Sequence, residues 1–173
     1  MQLFIGGACA GKRRAVTEQF ASPHWHSAYQ GDALAEWPAA VAATRCLVLE
    51  GWERWIAARL AGEADDDKLR QALSRELDTL NAWEAGQGRE VVLIMLEMGR
   101  GIVPLSPEKR RLRDLNGWLA QDAAARCERV WYVRHGLCRS LKPLGDWRAR
   151  LIFAGCAARL RPLSGTGGSH SIR

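Results

Sequence analysis

The sequence of 173 residues predicts an α/β fold, a three-layer sandwich built around a mostly parallel sheet. Short apolar segments alternate along the chain with longer segments of helical periodicity. This alternation implies right-handed crossover connections between parallel strands. The run VVLIML at residues 91–96 is apolar throughout, as in strands that are buried on both faces.

The N-terminal half of the chain supplies two predicted strands and two predicted helices. Residues 2–5 form a short apolar strand that runs into a glycine-rich loop, and residues 12–20 have helical character. Residues 22–30, SPHWHSAYQ, show no clear period, so we expect a connection there. Residues 32–44 are alanine-rich and predict a helix. The apolar run CLVL at residues 46–49 predicts a buried strand.

The C-terminal half continues the alternation. Residues 52–60 have apolar residues at helical spacing, and the acidic run at residues 65–67 favours the start of a long helix with leucines on one face. The Ser-Pro pair that opens residues 106–126 is typical of a helix start. Residues 130–133, VWYV, predict a strand. A last helix is expected over residues 146–160, before a disordered tail.

The composition is that of an ordinary globular protein, with 47% hydrophobic and 25% charged residues. No apolar run approaches the about 20 residues that span a bilayer, and no signal peptide precedes the first strand. We therefore expect a cytoplasmic protein without a membrane span. The five cysteines form no CxxC pair, which argues against a zinc site or a disulfide framework.

The net charge of +6 suits a polyanionic partner, either a nucleotide or a nucleic acid. Many of the arginines, however, alternate with apolar residues at helical spacing, which is typical of the solvated face of a helix. They include Arg110, Arg111, Arg113, Arg148, Arg150, Arg159 and Arg161. We therefore expect no nucleic-acid partner.

The stretch GGACAGK at residues 6–12 matches the phosphate-binding loop pattern: a glycine, four residues, a second glycine and a lysine. It lies between a predicted strand and a predicted helix, where backbone N–H groups and the helix N-terminus can surround a phosphate. The candidate nucleotide-binding residues are Gly6, Gly7, Ala8, Cys9, Ala10, Gly11, Lys12, Arg13 and Glu50. Residues 1–142 would form this nucleotide-binding domain, and residues 143–173 a C-terminal helix and tail. The alternative is a glycine turn that merely connects the two elements.

Position 13 departs from the loop pattern. The residue after the lysine is ordinarily Ser or Thr, whose hydroxyl holds Mg²⁺, and here it is Arg13. A guanidinium cannot coordinate a cation, but it can contact phosphate directly. The sequence thus favours a bound nucleotide with weakened dependence on metal.

Glu50 follows the predicted CLVL strand, at the carboxyl edge where ligands bind in open α/β sheets. A carboxylate there can orient Mg²⁺ or its water molecules beside the loop, so Glu50 is the candidate metal contact and, with Lys12, a candidate catalytic residue. The alternative of equal weight is a carboxylate that caps the following helix.

The stretch LIMLEMGRGIVPLSPEKRRLRDLNGWLAQ at residues 93–121, together with GGACAGK, resembles one family. This family is the bifunctional adenosylcobinamide kinase/adenosylcobinamide-phosphate guanylyltransferases of cobalamin synthesis. The fitting residues are Glu97, Met98 (for the family's Val), Gly99, Gly101, Ile102, Val103, Pro104, Arg113, Asp114, Gly117 and Gln121. CLVLEG, VWYV, Gly136 and Leu141-Lys142 fit its other motifs, so the resemblance covers roughly residues 1–20 and 45–142.

The resemblance implies a P-loop NTPase fold similar to that of the RecA-like proteins, and a homotrimer. It implies phosphorylation of the aminopropanol hydroxyl of adenosylcobinamide with GTP or ATP and Mg²⁺. Transfer of GMP to that phosphate would follow, through a histidine that carries GMP. Among the eight tryptophans, Trp52, Trp55, Trp118 and Trp147 are candidates for a subunit interface, and the alternative is that they lie in the core.

The chain also departs from the family pattern. Leu96 and Ala120 stand where the family has Asn. Between the first helix and CLVLEG the chain is some tens of residues shorter, in the part that holds a second strand and the helix with the GMP-carrying histidine. His24 and His26 are weak candidates to replace this nucleophile, and the alternative is that both are ordinary loop histidines.

Two further functions stay open at this point. A catalytically degenerate paralogue that binds nucleotide or corrinoid would explain the changes at Arg13, Leu96 and Ala120 together, since each removes a polar group of the family pattern. An unrelated small-molecule kinase of the same fold would require the match of GRGIVP to arise by chance.

Overall fold

The computed structural model describes residues 1–41, 44–85 and 88–142. Strands and helices alternate along this part of the chain, as the sequence predicts. The strands are β1 (Gln2–Gly6), β2 (His24–Ser27), β3 (Cys46–Glu50), β4 (Glu90–Leu96), β5 (Arg129–Arg134) and β6 (Leu137–Ser140). The helices are α1 (Lys12–Gln19), α2 (Trp37–Ala40), α3 (Trp52–Leu60), α4 (Asp66–Glu84) and α5 (Pro107–Arg126), with a 3₁₀ turn over Leu34–Glu36.

The six strands form one sheet in the order β2-β3-β4-β1-β5-β6. The first five strands of this order are parallel, and β6 runs antiparallel to β5. The register pairs Gly6 with Leu96 and Glu50 with Ile94, so the carboxyl ends of β1 and β3 lie on either side of β4. The sheet thereby brings the glycine-rich loop and Glu50 to one edge.

Helices cover both faces of the sheet, which confirms the predicted three-layer sandwich. On one face, Val16 and Phe20 at α1 pack in a cluster with Phe4 and Val48 of the sheet. The larger core on the other face holds α3, α4 and α5. Its fully buried side chains include Trp52, Ile56, Leu73, Leu77 and Leu80, beside strand residues Leu47, Leu49, Val91 and Leu93.

The ends of the two long helices follow from their sequences. The Asp65 side chain accepts hydrogen bonds from the backbone N–H groups of Asp67 and Lys68, and thus caps α4. The hydroxyl of Ser106 accepts the N–H of Lys109 at 3.4 Å. Pro107 occupies the first turn of α5, where it has no intrahelical N–H partner to lose.

Three sequence-based expectations are wrong. Residues 22–30 do not form only a connection, because β2 lies there and pairs with β3. The second strand that the shortened segment was expected to lack is therefore present. Among the described residues of the range 32–44, the expected helix is reduced to the 3₁₀ turn and the single turn of α2, since helix propensity alone does not sustain a helix without a long apolar stripe. Strand β6 was not predicted, because all four of its residues are exposed and carry no apolar alternation.

The tryptophan prediction is wrong for two of its four members. Trp52 and Trp55 are buried in the core, at 0% and 6% exposure, so neither can form a subunit interface. Trp118 is exposed at the surface of α5. Trp147 and the predicted helix and tail over residues 143–173 lie outside the described residues. Among the described helices, none combines the length and apolar character that crossing a membrane requires.

Candidate nucleotide-binding site

The glycine-rich loop joins the end of β1 to the start of α1. Gly11 precedes the helix with φ of 97°, a left-handed conformation that glycine adopts without strain. Cys9 has φ of 56°, so the loop turns sharply at an exposed non-glycine residue. The N–H of Gly136 donates to the carbonyl of Ala10 at 2.9 Å and ties the loop to the β5–β6 turn. The first turn of α1 thus opens towards the loop, as anion binding at a helix N-terminus requires.

The side chain of Lys12 folds back over this loop. Its Nζ donates to the carbonyl oxygens of Gly6 and Gly7, at 2.9 and 2.6 Å. Burial of the ammonium lowers the pKa of Lys12, and the charges of Glu53, Cys9 and Glu50 only partly offset this effect. An ammonium that donates to two neutral carbonyls can donate to the oxygens of a bound phosphate instead. Lys12 therefore lies where it can supply a positive charge to a phosphate at the loop.

Arg13 lies on the neighbouring position of α1 and pairs with Glu50. Its Nη2 is 3.0 Å from Glu50 Oε1, and Ser27 Oγ donates to the same oxygen at 2.6 Å. The guanidinium also lies over the ring of Trp25, 4.8 Å from the centroid. Glu50 is 2% exposed and Arg13 58%, so the carboxylate is buried while the cation faces solvent.

A cavity of about 460 Å³ lies beside the loop. Its walls include the loop itself, Tyr29 and Glu50, with Ile94 and Leu96 from the end of β4. The phenol of Tyr29 donates to Glu53, and burial raises the pKa of Tyr29 above its ordinary value. The cavity therefore combines the cationic side chains of Lys12, Arg13 and Arg14 with an apolar wall from the end of β4.

The residues at this site do not fit Mg²⁺ in the manner of an ordinary phosphate loop. The Ser or Thr hydroxyl is replaced by the Arg13 guanidinium, which repels a cation. Glu50, the carboxylate expected to orient the metal, is bonded to Arg13 and to Ser27. No group of three or more His, Cys, Asp or Glu side chains suited to a metal occurs within the residues that the structure describes. Glu50 also does not cap α3, whose N-cap is Gly51 without a side-chain bond.

Glu97 is brought to the same edge, although sequence reasoning gave it no role. Its backbone N–H donates to the carbonyl of Gly6 at 2.9 Å. Its carboxylate accepts from the Tyr132 hydroxyl at 3.0 Å and from Arg100 Nε at 2.9 Å. The signal that could have found it is its position directly after β4, the strand that lies between the loop and Glu50. Ser27 and Trp25 were missed because their strand was not predicted.

The two candidate histidines lie on the other side of β2 from the loop. His26 is 3% exposed, its Nε2 is 2.9 Å from the carbonyl of Ala33, and its ring stacks on Trp55. His24 points to the same face, because alternate residues of a strand share a face. Trp25, between them, lies against Arg13 on the opposite face. The geometry therefore argues against either histidine as an exposed nucleophile.

The fold and this edge of the sheet together define an α/β protein of the P-loop NTPase-like class. The family model for cobinamide kinase / cobinamide phosphate guanyltransferase matches residues 12–141 of the chain. This match covers well over half of the sequence, so the chain belongs to this family. The resemblance drawn from GGACAGK and GRGIVP is thereby confirmed, and an unrelated kinase of the same fold is excluded.

Two curated relatives agree with this assignment. The chain is 36% identical over 137 residues to the bifunctional adenosylcobalamin biosynthesis protein CobP of Pseudomonas aeruginosa. The aligned region covers 76% of this chain and 74% of the relative. It is also 36% identical over 80 residues to the bifunctional adenosylcobalamin biosynthesis protein CobU of Escherichia coli. This aligned region covers 46% of this chain and 44% of that relative. The family is therefore one of kinase and nucleotidyltransferase enzymes of cobalamin biosynthesis.

Proposed function

We propose that the chain is an adenosylcobinamide kinase that transfers the terminal phosphoryl group of GTP or ATP to the aminopropanol hydroxyl of adenosylcobinamide. The observation that carries this proposal is the position of Lys12, whose ammonium lies on the carbonyls of Gly6 and Gly7 at the start of α1. Family membership supplies the substrate class. The cavity beside the loop offers space for the reacting groups.

In this reaction the hydroxyl oxygen of the substrate attacks the γ-phosphorus. The bond from that phosphorus to the β–γ bridging oxygen breaks, and a nucleoside diphosphate leaves. Because the transition state is loose, the hydroxyl proton can depart late, to water. The loop amides and Lys12 bind the phosphates, and the charge of Arg13 adds to the stabilisation of the transferred group.

We propose that guanylyl transfer, the second activity of this family, does not use His24 or His26 as its nucleophile. That transfer needs a nucleophile to carry GMP, and His26 is buried against Trp55 while His24 shares its face of β2. Glu18, near where the sequence would place the histidine, cannot form such an intermediate.

A second candidate is a binding paralogue that holds nucleotide or corrinoid without chemistry. It is favoured by the pairing of Arg13 with Glu50, which leaves neither side chain in its ordinary phosphate-loop role. It is favoured also by Leu96, which gives the cavity an apolar wall where the family pattern has Asn.

One experiment separates these functions. The protein is incubated with adenosylcobinamide, Mg²⁺ and either GTP or ATP, and the corrinoid is followed by mass spectrometry. A corrinoid with one added phosphate is the expected product. Nucleotide binding without product would favour the paralogue, and a GDP-linked corrinoid would show that guanylyl transfer also takes place.

We propose a cytoplasmic location, and a homotrimer because of the resemblance; sedimentation of the purified chain tests the oligomeric state. No nucleic-acid partner is proposed, since the arginines at the start of α5 have partners within the chain. Arg110 donates to the carbonyl of Pro104 at 3.0 Å, and Arg111 Nη2 lies 2.6 Å from Asp66.

A further inference from the structure

We propose that this site binds the polyphosphate of a nucleotide without a divalent cation, with the guanidinium of Arg13 in the role that Mg²⁺ has in an ordinary phosphate loop. This inference rests on the proposed function, since it concerns the same nucleotide site. The inference goes beyond the proposed function because it names the group that neutralises the charge of the phosphates.

The guanidinium is held in a fixed position but is still accessible. Glu50 Oε1 binds its Nη2 at 3.0 Å, and the ring of Trp25 lies under its plane at 4.8 Å. A guanidinium has five N–H donors in a planar fork, so the bond to Glu50 leaves donors available to a ligand. With 58% of the side chain exposed, these donors can reach a phosphate above the loop. Such a fork matches the oxygens of a phosphate group in both charge and geometry.

Glu50 in turn serves the arginine rather than a metal. Its carboxylate is 2% exposed, and the Ser27 hydroxyl donates to the oxygen that binds Arg13. A buried carboxylate is stabilised by a cation and by hydrogen bonds, and Arg13 and Ser27 supply both. A divalent cation at this place would have to displace Arg13 from Glu50 and would then face the displaced guanidinium. Glu50 is therefore a positioning residue for Arg13.

The two cations occupy consecutive positions at the start of α1. Lys12 lies on the carbonyls of Gly6 and Gly7, and Arg13 lies across the helix start against Trp25. Together with the helix N-terminus they provide a positive surface that is present in the free protein. A nucleotide would meet this surface whether or not it carries a metal ion.

The test is a calorimetric titration of ATP, and separately of GTP, into the wild-type protein and into Arg13→Ser, each in excess Mg²⁺ and in EDTA. The wild-type dissociation constant is expected to change by less than about twofold between the two buffers. Arg13→Ser is expected to bind about tenfold more weakly in EDTA, since one charged phosphate contact is lost, and to regain affinity with Mg²⁺. The control is Arg75→Ser, because Arg75 is exposed on α4, whose buried residues belong to the core on the opposite face of the sheet from α1. This control should behave as wild type.

The outcomes distinguish the two proposals. A wild-type affinity that falls tenfold or more in EDTA would overturn the metal-free site and leave the kinase proposal standing. An Arg13→Ser variant that binds like wild type in EDTA would also overturn it. Absence of ATP and GTP binding in either buffer would overturn the proposed function and this inference with it.

Discussion

Gly6 and Val133 approach so closely that no side chain fits at position 6. A Cβ built on Gly6 would lie 2.1 Å from the carbonyl oxygen of Val133, on the neighbouring strand β5. Backbone atoms cannot yield as the end of a flexible side chain can. The start of the phosphate loop is thus fixed by the packing of β1 against β5.

We predict that Gly6→Ala lowers the free energy of unfolding by about 1–3 kcal/mol, since β1 and β5 must separate locally. The same shift should weaken nucleotide binding, because the loop begins at this residue. Urea unfolding and calorimetric titration measure the two effects.

The control for this variant is Gly7→Ala. A Cβ on Gly7 would meet no atom within 4 Å. Its stability should therefore stay within about 0.5 kcal/mol of wild type. Equal destabilisation of both variants would contradict the packing argument.

We predict that Lys12→Ala lowers kinase turnover by at least about 100-fold, because it removes the point charge from the outer phosphates. Formation of the phosphorylated corrinoid, followed by mass spectrometry, measures the loss. Lys68→Ala is the control, since Lys68 lies exposed on α4 and forms only an (i,i+3) ion pair with Asp65 in the described structure. Full turnover in Lys12→Ala would contradict a role for the loop lysine in the phosphoryl transfer.

Much of the fold was predictable because the local pattern and the buried packing agree. The apolar run at residues 91–96 is buried from Val91 to Met95 in the centre of the sheet. The leucines of α4 lie on one buried stripe, as their spacing indicates. The edge strands β2 and β6 were not predictable in this way, because they are short and their pairing with a neighbour decides their conformation.

The site was predictable in part for a related reason. The loop pattern and the strand end locate Lys12 and Glu50 from sequence, because both positions follow from local order along the chain. The contacts of Trp25 with Arg13 and of Ser27 with Glu50 did not follow, because Trp25 and Ser27 belong to β2 and reach the site only through the tertiary fold. The burial of His26 depends on α3 in the same way.

We predict that the protein loses stability in alkaline solution through its buried thiols. Burial raises the pKa of Cys127 from 9.0 to about 12. The unfolded chain releases this proton above about pH 9 while the folded chain retains it, so the free energy of unfolding falls as pH rises. The fall should approach about 1.4 kcal/mol per pH unit for this one proton. Urea unfolding between about pH 8.5 and pH 10.5 measures it.

The variant that isolates this effect is Cys127→Ala. Its free energy of unfolding should depend less steeply on pH than that of wild type. This difference in slope is independent of the stability that the smaller side chain loses at neutral pH. Burial also raises the pKa of Cys46, to about 11, so part of the slope should persist in the variant. Identical slopes for the two proteins would contradict the assignment to Cys127.

The central claim is that a nucleotide binds at the loop formed by residues 6–12, and Cys9 allows this to be measured directly. Cys9 is an exposed thiol within the loop, and Cys138 is an exposed thiol on β6. We would measure the rate of alkylation of each thiol by iodoacetamide, with and without saturating ATP or GTP, and assign the sites by peptide mass spectrometry. We expect bound nucleotide to slow the alkylation of Cys9 about tenfold or more and to leave the alkylation of Cys138 unchanged. Alkylation of Cys9 at the same rate with saturating nucleotide would contradict it.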